Sequence, residues 1–110
     1  MGRARRFLVA ATLTALTMLA LTAAPAQAHY TYIYHGSDLA SVSSDHHRVS
    51  TCDRENDGHL VYADVLLSNG VRTRVWDGYD SVCSTRSFSS TVRQFRLCEE
   101  SVSCTAWKNA

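Results

Sequence analysis

Proline is almost missing from this 110-residue chain, the single one being Pro25. No proline-rich linker therefore divides it. Among its four cysteines no Cys-x-x-Cys pair occurs, the spacing on which most structural zinc frameworks are built. No Gly-x-Ser-x-Gly elbow is present either, so the many serines do not include an α/β-hydrolase nucleophile. Outside residues 1–28 there are 8 Lys+Arg against 10 Asp+Glu, a balance of −2. That is the wrong sign for neutralising nucleic-acid phosphates or an anionic membrane surface. Only one long apolar run exists, Phe7 to Leu21, and no second one follows.

That run belongs to a leader. Arg3, Arg5 and Arg6 precede it and Ala26-Gln27-Ala28 follows, giving the charged, apolar and small-residue parts of a secretory signal. A transmembrane anchor needs about 20 apolar residues, whereas these 15 include Thr12, Thr14 and Thr17. Cleavage after Ala28 leaves a single domain of 82 residues, 29–110, expected to be secreted, extracellular and free of the membrane.

All four cysteines, Cys52, Cys83, Cys98 and Cys104, lie in that domain. An even number in a short exported chain reads as a disulfide framework, because export delivers thiols to an oxidising compartment. A domain this small buries only roughly 60–65% of its unfolded surface and gains from crosslinks. Three pairings are open. Cys52–Cys83 with Cys98–Cys104 is favoured, and Cys52–Cys98 with Cys83–Cys104 is its rival.

The pattern along the domain is β throughout. Tyr30, Tyr32 and Tyr34 alternate as one face of a short strand, and Gly36 to His47 reads as loop or weakly extended. Val49 to Asp53 is a strand, followed by the turn residues Asn56-Asp57-Gly58. From His59 to Leu67, the residues Val61, Ala63, Val65 and Leu67 share a face. Ser68-Asn69-Gly70 then predicts a hairpin into Val71–Trp76. Asp77 to Ser90 is polar and reads as a loop tied by Cys83. Thr91–Cys98 forms another strand, and Cys104–Trp107 a last extended piece. Short strands separated by turn signals predict an all-β fold, a small disulfide-stapled antiparallel β-sandwich or barrel.

The run Cys52-Asp53-Arg54-Glu55-Asn56-Asp57-Gly58-His59-Leu60-Val61-Tyr62-Ala63 resembles small exported four-cysteine proteins of actinobacteria (the Streptomyces type). Val75-Trp76-Asp77, Phe95-Arg96-Leu97-Cys98-Glu99, Cys104 and Trp107 extend the resemblance over most of the domain. It implies export, disulfides and a β fold, and it carries no catalytic residue over. More remotely, the build is similar to the secreted α-amylase inhibitors of those bacteria. Their Trp-Arg-Tyr tripeptide does not occur in this sequence, so only the architecture is comparable.

Three constellations have chemical content. Tyr62, Arg74 and Trp76 fall on the polar side of the paired strands, and aromatic and arginine side chains together are what interface hot spots are made of. If that side faces a second sheet, they are core instead. Asp53, Glu55 and Asp57 stand at alternate positions before Gly58, as in the first half of a calcium loop, with Asp64 at the twelfth place. The flanks read as strand and Asp64 falls mid-strand, so weak calcium binding or none is expected of a tight turn here. No other cofactor is implied. Lastly, cleavage would make His29 amino-terminal, where amine and ring together can chelate copper, with His35 or His47 as partner. Asp45-His46-His47 cannot place both rings on one metal from an extended chain.

The sequence thus reads as a non-catalytic secreted binding protein whose partner is an extracellular protein or glycan. A hydrolase inhibitor using an exposed loop at Asp77–Arg86, or a minimal hydrolase, is the alternative. Intact-mass spectrometry of the protein from culture medium should give a chain beginning at His29. A mass corresponding to all 110 residues would overturn the export reading.

Overall fold

Alternating β-branched and polar residues favour a strand that buries one face, and the segment from Val61 shows it most clearly. In the computed structural model, which describes residues 29–110, this segment is β4 (Val61–Leu67). Its Val61, Ala63, Val65 and Leu67 are buried. The turn at Ser68-Asn69-Gly70 returns the chain into β5 (Arg72–Asp77), with Tyr62 opposite Trp76 and Asp64 opposite Arg74. Gly70 takes φ of 87° there, a left-handed conformation that costs glycine least. On its other side β4 pairs with β7 (Val92–Glu99), whose Phe95 and Leu97 are fully buried.

The second half of the fold is a separate antiparallel sheet. It is ordered β1 (Thr31–His35), β2 (Asp38–Val42), β3 (Arg48–Cys52) and β6 (Ser84–Ser87). Two of these strands replace expected loops. β2 reads weakly because Asp38-Leu39-Ala40-Ser41-Val42 has little apolar bulk, yet it is paired on both sides and buries Asp38, Ala40 and Val42. β6, Ser-Thr-Arg-Ser, has no apolar face at all. It is an edge strand created by pairing with β3. The expected last strand at Cys104–Trp107 is instead two short pieces, β8 (Ser103–Cys104) and β9 (Lys108–Asn109), which pair with successive parts of β7.

A further correction concerns residues 53–60. They are not a tight turn between paired strands, because β3 lies in the first sheet and β4 in the second. The segment crosses from one layer to the other. Strand polarity predicts both elements, but nothing local in the sequence says whether two successive strands pair or part.

The two sheets meet face to face without closing into a barrel. Ile33, Ala40, Val42 and Val49 of the first pack against Val61, Ala63, Val65, Val75, Phe95 and Leu97 of the second. This is an all-β sandwich, and among the described residues there is no helix. The leader reading of residues 1–28 falls outside the described residues.

Each disulfide stays within one sheet, Cys52–Cys83 in the first and Cys98–Cys104 in the second. Cys98 and Cys104 stand opposite each other in the β7–β8 register. Cys52–Cys83 sits one step beyond the Thr51–Ser84 pair that ends the β3–β6 ladder. The rival pairing is thereby excluded, and the described residues hold no free cysteine. Two crosslinks of this kind fit an oxidising environment.

The loops they close differ greatly, at 31 residues for Cys52–Cys83 and 6 for Cys98–Cys104. Chain-entropy arguments give about 4 kcal/mol for the longer loop and about 2 kcal/mol for the shorter. Denaturant unfolding of the Cys52→Ala/Cys83→Ala and Cys98→Ala/Cys104→Ala double variants should show the first to be the more destabilised. The reverse order would mean that burial of Cys98, rather than loop closure, dominates.

Candidate functional site

Because Val61, Ala63 and Val65 of β4 face the other sheet, their neighbours Tyr62, Asp64 and Leu66 face outward. The same holds for Arg72, Arg74 and Trp76 of β5. Cross-strand pairing brings the Tyr62 and Trp76 rings to 4.4 Å between centroids. The Arg74 guanidinium carbon lies 4.4 Å over the Tyr62 ring and 6.0 Å from that of Trp76, within cation–π range. Trp76 retains 40% of its surface exposed. The three residues singled out from the sequence therefore form one stack on the outside of the sandwich.

The stack is part of a longer surface that the sequence did not reveal. Asp64, buried on this face, accepts hydrogen bonds at Oδ2 from Arg72 Nη2 at 2.8 Å and from Arg96 Nε and Nη2 at 3.1 Å each. Those two guanidiniums in turn lie 5.1 and 4.8 Å from the Trp107 ring. Trp107 reaches the face because the segment between β8 and β9 runs along β7. No sequence spacing signals that. The resulting strip carries three arginines, one aspartate, two tryptophans and a tyrosine on the outer face of the sheet.

A different cluster occupies one end of the sandwich. There the inward-facing alternation of several strands ends in carboxyl groups. Asp38 starts β2, Asp53 follows β3, and Asp77 and Glu99 end β5 and β7, flanking Val61 in register. Asp77 is well partnered, accepting from Asp53 N at 2.8 Å and from Ser84 Oγ at 2.8 Å. Asp38 accepts from Arg54 N at 2.7 Å through Oδ1, and Asp53 from Glu55 N at 3.2 Å through its own Oδ1. The Oδ2 atoms of both are buried without a partner.

Glu55 and Glu99 join Asp38, with one carboxylate oxygen from each within 4.8 Å of the others. Glu55 is held by Ser37 N, 2.9 Å from its Oε2, and packs so closely on Gly36 that a Cβ at that position would strike it. His35 Nδ1 stands 3.9 Å from Glu99 Oε2. Burial pushes the Asp38 carboxyl up to about 6, and the charges of Glu55 and Asp53 add to the effect. Glu99 is raised by a hydrogen bond with Asp57 and by burial, while that bond lowers Asp57.

Of Asp53, Glu55 and Asp57, only Glu55 joins Asp38 and Glu99 in that group, two acids which the sequence reading missed; Asp53 neighbours Asp38, and Asp57 neighbours Glu99. The signal available was the alternation itself, since extending the buried face of β2, β3, β5 and β7 by one inward step lands on an acid. Asp64, at the twelfth place of the loop pattern, points to the opposite face and belongs to the arginine network. The histidines do not assemble as a metal site. The His47 ring hydrogen-bonds the Phe88 carbonyl at 2.9 Å, and His29 stacks edge-on against His46 at 5.9 Å rather than meeting His35 or His47.

Burial alone would raise the Asp64 carboxyl, but the hydrogen bonds and charges of Arg72 and Arg96 overcome this and hold it below the usual carboxylate range. A folded-state value below the unfolded one stabilises above the unfolded value and is lost as pH falls through the folded one. Asp64→Asn should therefore cost about 1.5–3 kcal/mol near pH 7 in urea unfolding, the range for hydrogen bonds to charged groups. The gap from the wild type should narrow below about pH 4. A gap equal at pH 7 and pH 3 would show that the ion pair contributes nothing.

Comparison of the chain with protein-family models, with curated proteins and with solved structures found no match.

Proposed function

We propose that this protein is an exported, non-catalytic binding module that engages an extracellular partner, a protein or a glycan, through the outer face of β5, β4 and β7. The observation carrying this reading is the Tyr62–Arg74–Trp76 stack, set by the cross-strand register and leaving Trp76 40% exposed. Aromatic and arginine side chains presented on a preformed surface bind with little loss of conformational freedom. Three arginines against one aspartate favour a partner that presents carboxylates, or sugar rings able to stack on the indoles. Export rests on the leader pattern together with the two disulfides.

One observation favours a second reading, that of a hydrolase inhibitor. Tyr79 and Val82 are 58% and 68% exposed in the segment between β5 and β6, which the Cys52–Cys83 bridge ties down at its end. An exposed apolar loop anchored by a disulfide is the kind of feature an inhibitor inserts into a cleft.

A photo-crosslinking residue placed at Tyr62, and another at Val82, separates the two when the protein is incubated in its own culture medium. Adducts concentrated at position 62 and lost on Trp76→Ala support the face. Adducts only at position 82 would transfer the function to the loop. Trp76→Ala should leave the melting temperature within a few degrees of the wild type. A loss of about 3–5 kcal/mol, as for a core aromatic, would make the stack structural and end the binding-face reading.

A further inference from the structure

We propose that Asp38, Glu55 and Glu99 form a calcium-binding site at the end of the sandwich, with Asp53 and Asp57 as its acidic surround. The site is separate from the outer face and does not depend on it. Three carboxylate oxygens lie within 4.8 Å of one another. Calcium holds oxygen ligands at about 2.3–2.6 Å, so those of a single ion lie no more than about 5 Å apart. The spacing fits one shared ion.

A second observation is independent of that spacing. Asp38 is 0% exposed and its Oδ2 has no hydrogen-bond partner, although its Oδ1 has one. Asp53 beside it is 2% exposed with the same half-satisfied carboxylate. A buried carboxylate oxygen without a donor is costly unless a cation or a proton meets it. Besides burial and the Arg54 N–H, the groups acting on Asp38 are the carboxylates of Glu55 and Asp53, the latter close enough to share a side-chain hydrogen bond only if a proton lies between them. Those acting on Glu99 are Asp57 and Glu55, with His35 as the basic one. A divalent cation supplies the charge that these side chains do not supply for one another.

The donors are all hard oxygens, which select calcium or magnesium over zinc or copper. They also come from distant parts of the chain: β2 of the first sheet, the crossing segment 53–60, and β7 of the second sheet. Ligands on mobile or separately placed elements suit the larger, less demanding calcium sphere better than the strict octahedron of magnesium. An ion held there ties together the two layers, which neither disulfide does.

The test is thermal unfolding of the purified, disulfide-bonded protein after removal of metal with a chelator, as calcium chloride is added. The expected result is a half-effect at about 0.1–1 mM, the range of extracellular calcium modules, and a rise of about 5–10 °C at ten times that concentration. Magnesium should shift the transition less. Asp38→Asn removes a ligand and also a source of repulsion. It should abolish the calcium response while leaving the metal-free melting temperature equal or higher. Should Asp38→Asn fail to fold, Glu99→Gln is read in the same way, and terbium luminescence competed by calcium gives a readout independent of melting. An unchanged melting temperature at about 10 mM calcium overturns the proposal, as does a full response retained by the variant.

Discussion

Everything in this domain depends on an apolar seam between two sheets that no disulfide joins. Val42 and Val49 on one side, and Val61, Val65, Phe95 and Leu97 on the other, exclude water across the interface. Burial of such side chains contributes roughly 1.5–3 kcal/mol each, against a backbone entropy cost that a domain this size barely offsets. The disulfides act at right angles to that problem. They fix edge segments to their own sheets, limiting the freedom of the unfolded chain without adding to the packing between layers.

Open edges and open ends are the weak points of such a seam, and polar contacts close them. Arg86 Nη1 donates to Thr73 Oγ1 at 3.2 Å, linking β6 to β5 along one edge. Lys108 Nζ donates to the Tyr32 carbonyl at 2.9 Å, linking β9 to β1 along the other. Both bonds are exposed and individually weak. Their value is positional, because they hold the layers in alignment where the apolar contact runs out.

How far these features were legible follows from the range of the interaction behind each. The β4–β5 hairpin was readable because alternation and Asn69-Gly70 are both local, and the Tyr62–Arg74–Trp76 stack came with it. β2 and β6 were hidden because their pairing partners, not their own residues, make them strands. The crossing at 53–60 was misjudged as a turn for the same reason. With the sheets parted there, Asp53 and Glu55 stand between the layers instead of at a hairpin tip. Asp38 and Glu99 are 61 positions apart in the chain, and although each continues the inward alternation of its strand, nothing local says that the two strand ends meet. Trp107 was invisible as part of the outer face until β8 and β9 were seen to follow β7.

The acidic end sets a limit on purely structural explanations of this fold. A buried carboxyl lacking a donor destabilises, and replacing buried charged groups with apolar ones of similar volume is commonly neutral or favourable. The neighbouring inward positions Ala40, Val42, Val61 and Leu97 show that this framework accommodates apolar residues at every other step of the same faces. If sealing the seam were the only requirement, Asp38 and Asp53 would be poor choices and Val or Thr better ones. Asp77, by contrast, has a structural role, since both its oxygens accept bonds that tie Asp53 and Ser84 to β5. Asp38 and Asp53 also hold backbone N–H groups, of Arg54 and Glu55, but each through one oxygen only, and it is the second, unpartnered oxygen that sets them apart from Asp77. That second oxygen lowers the stability of the fold, and it is the observation on which the calcium proposal rests.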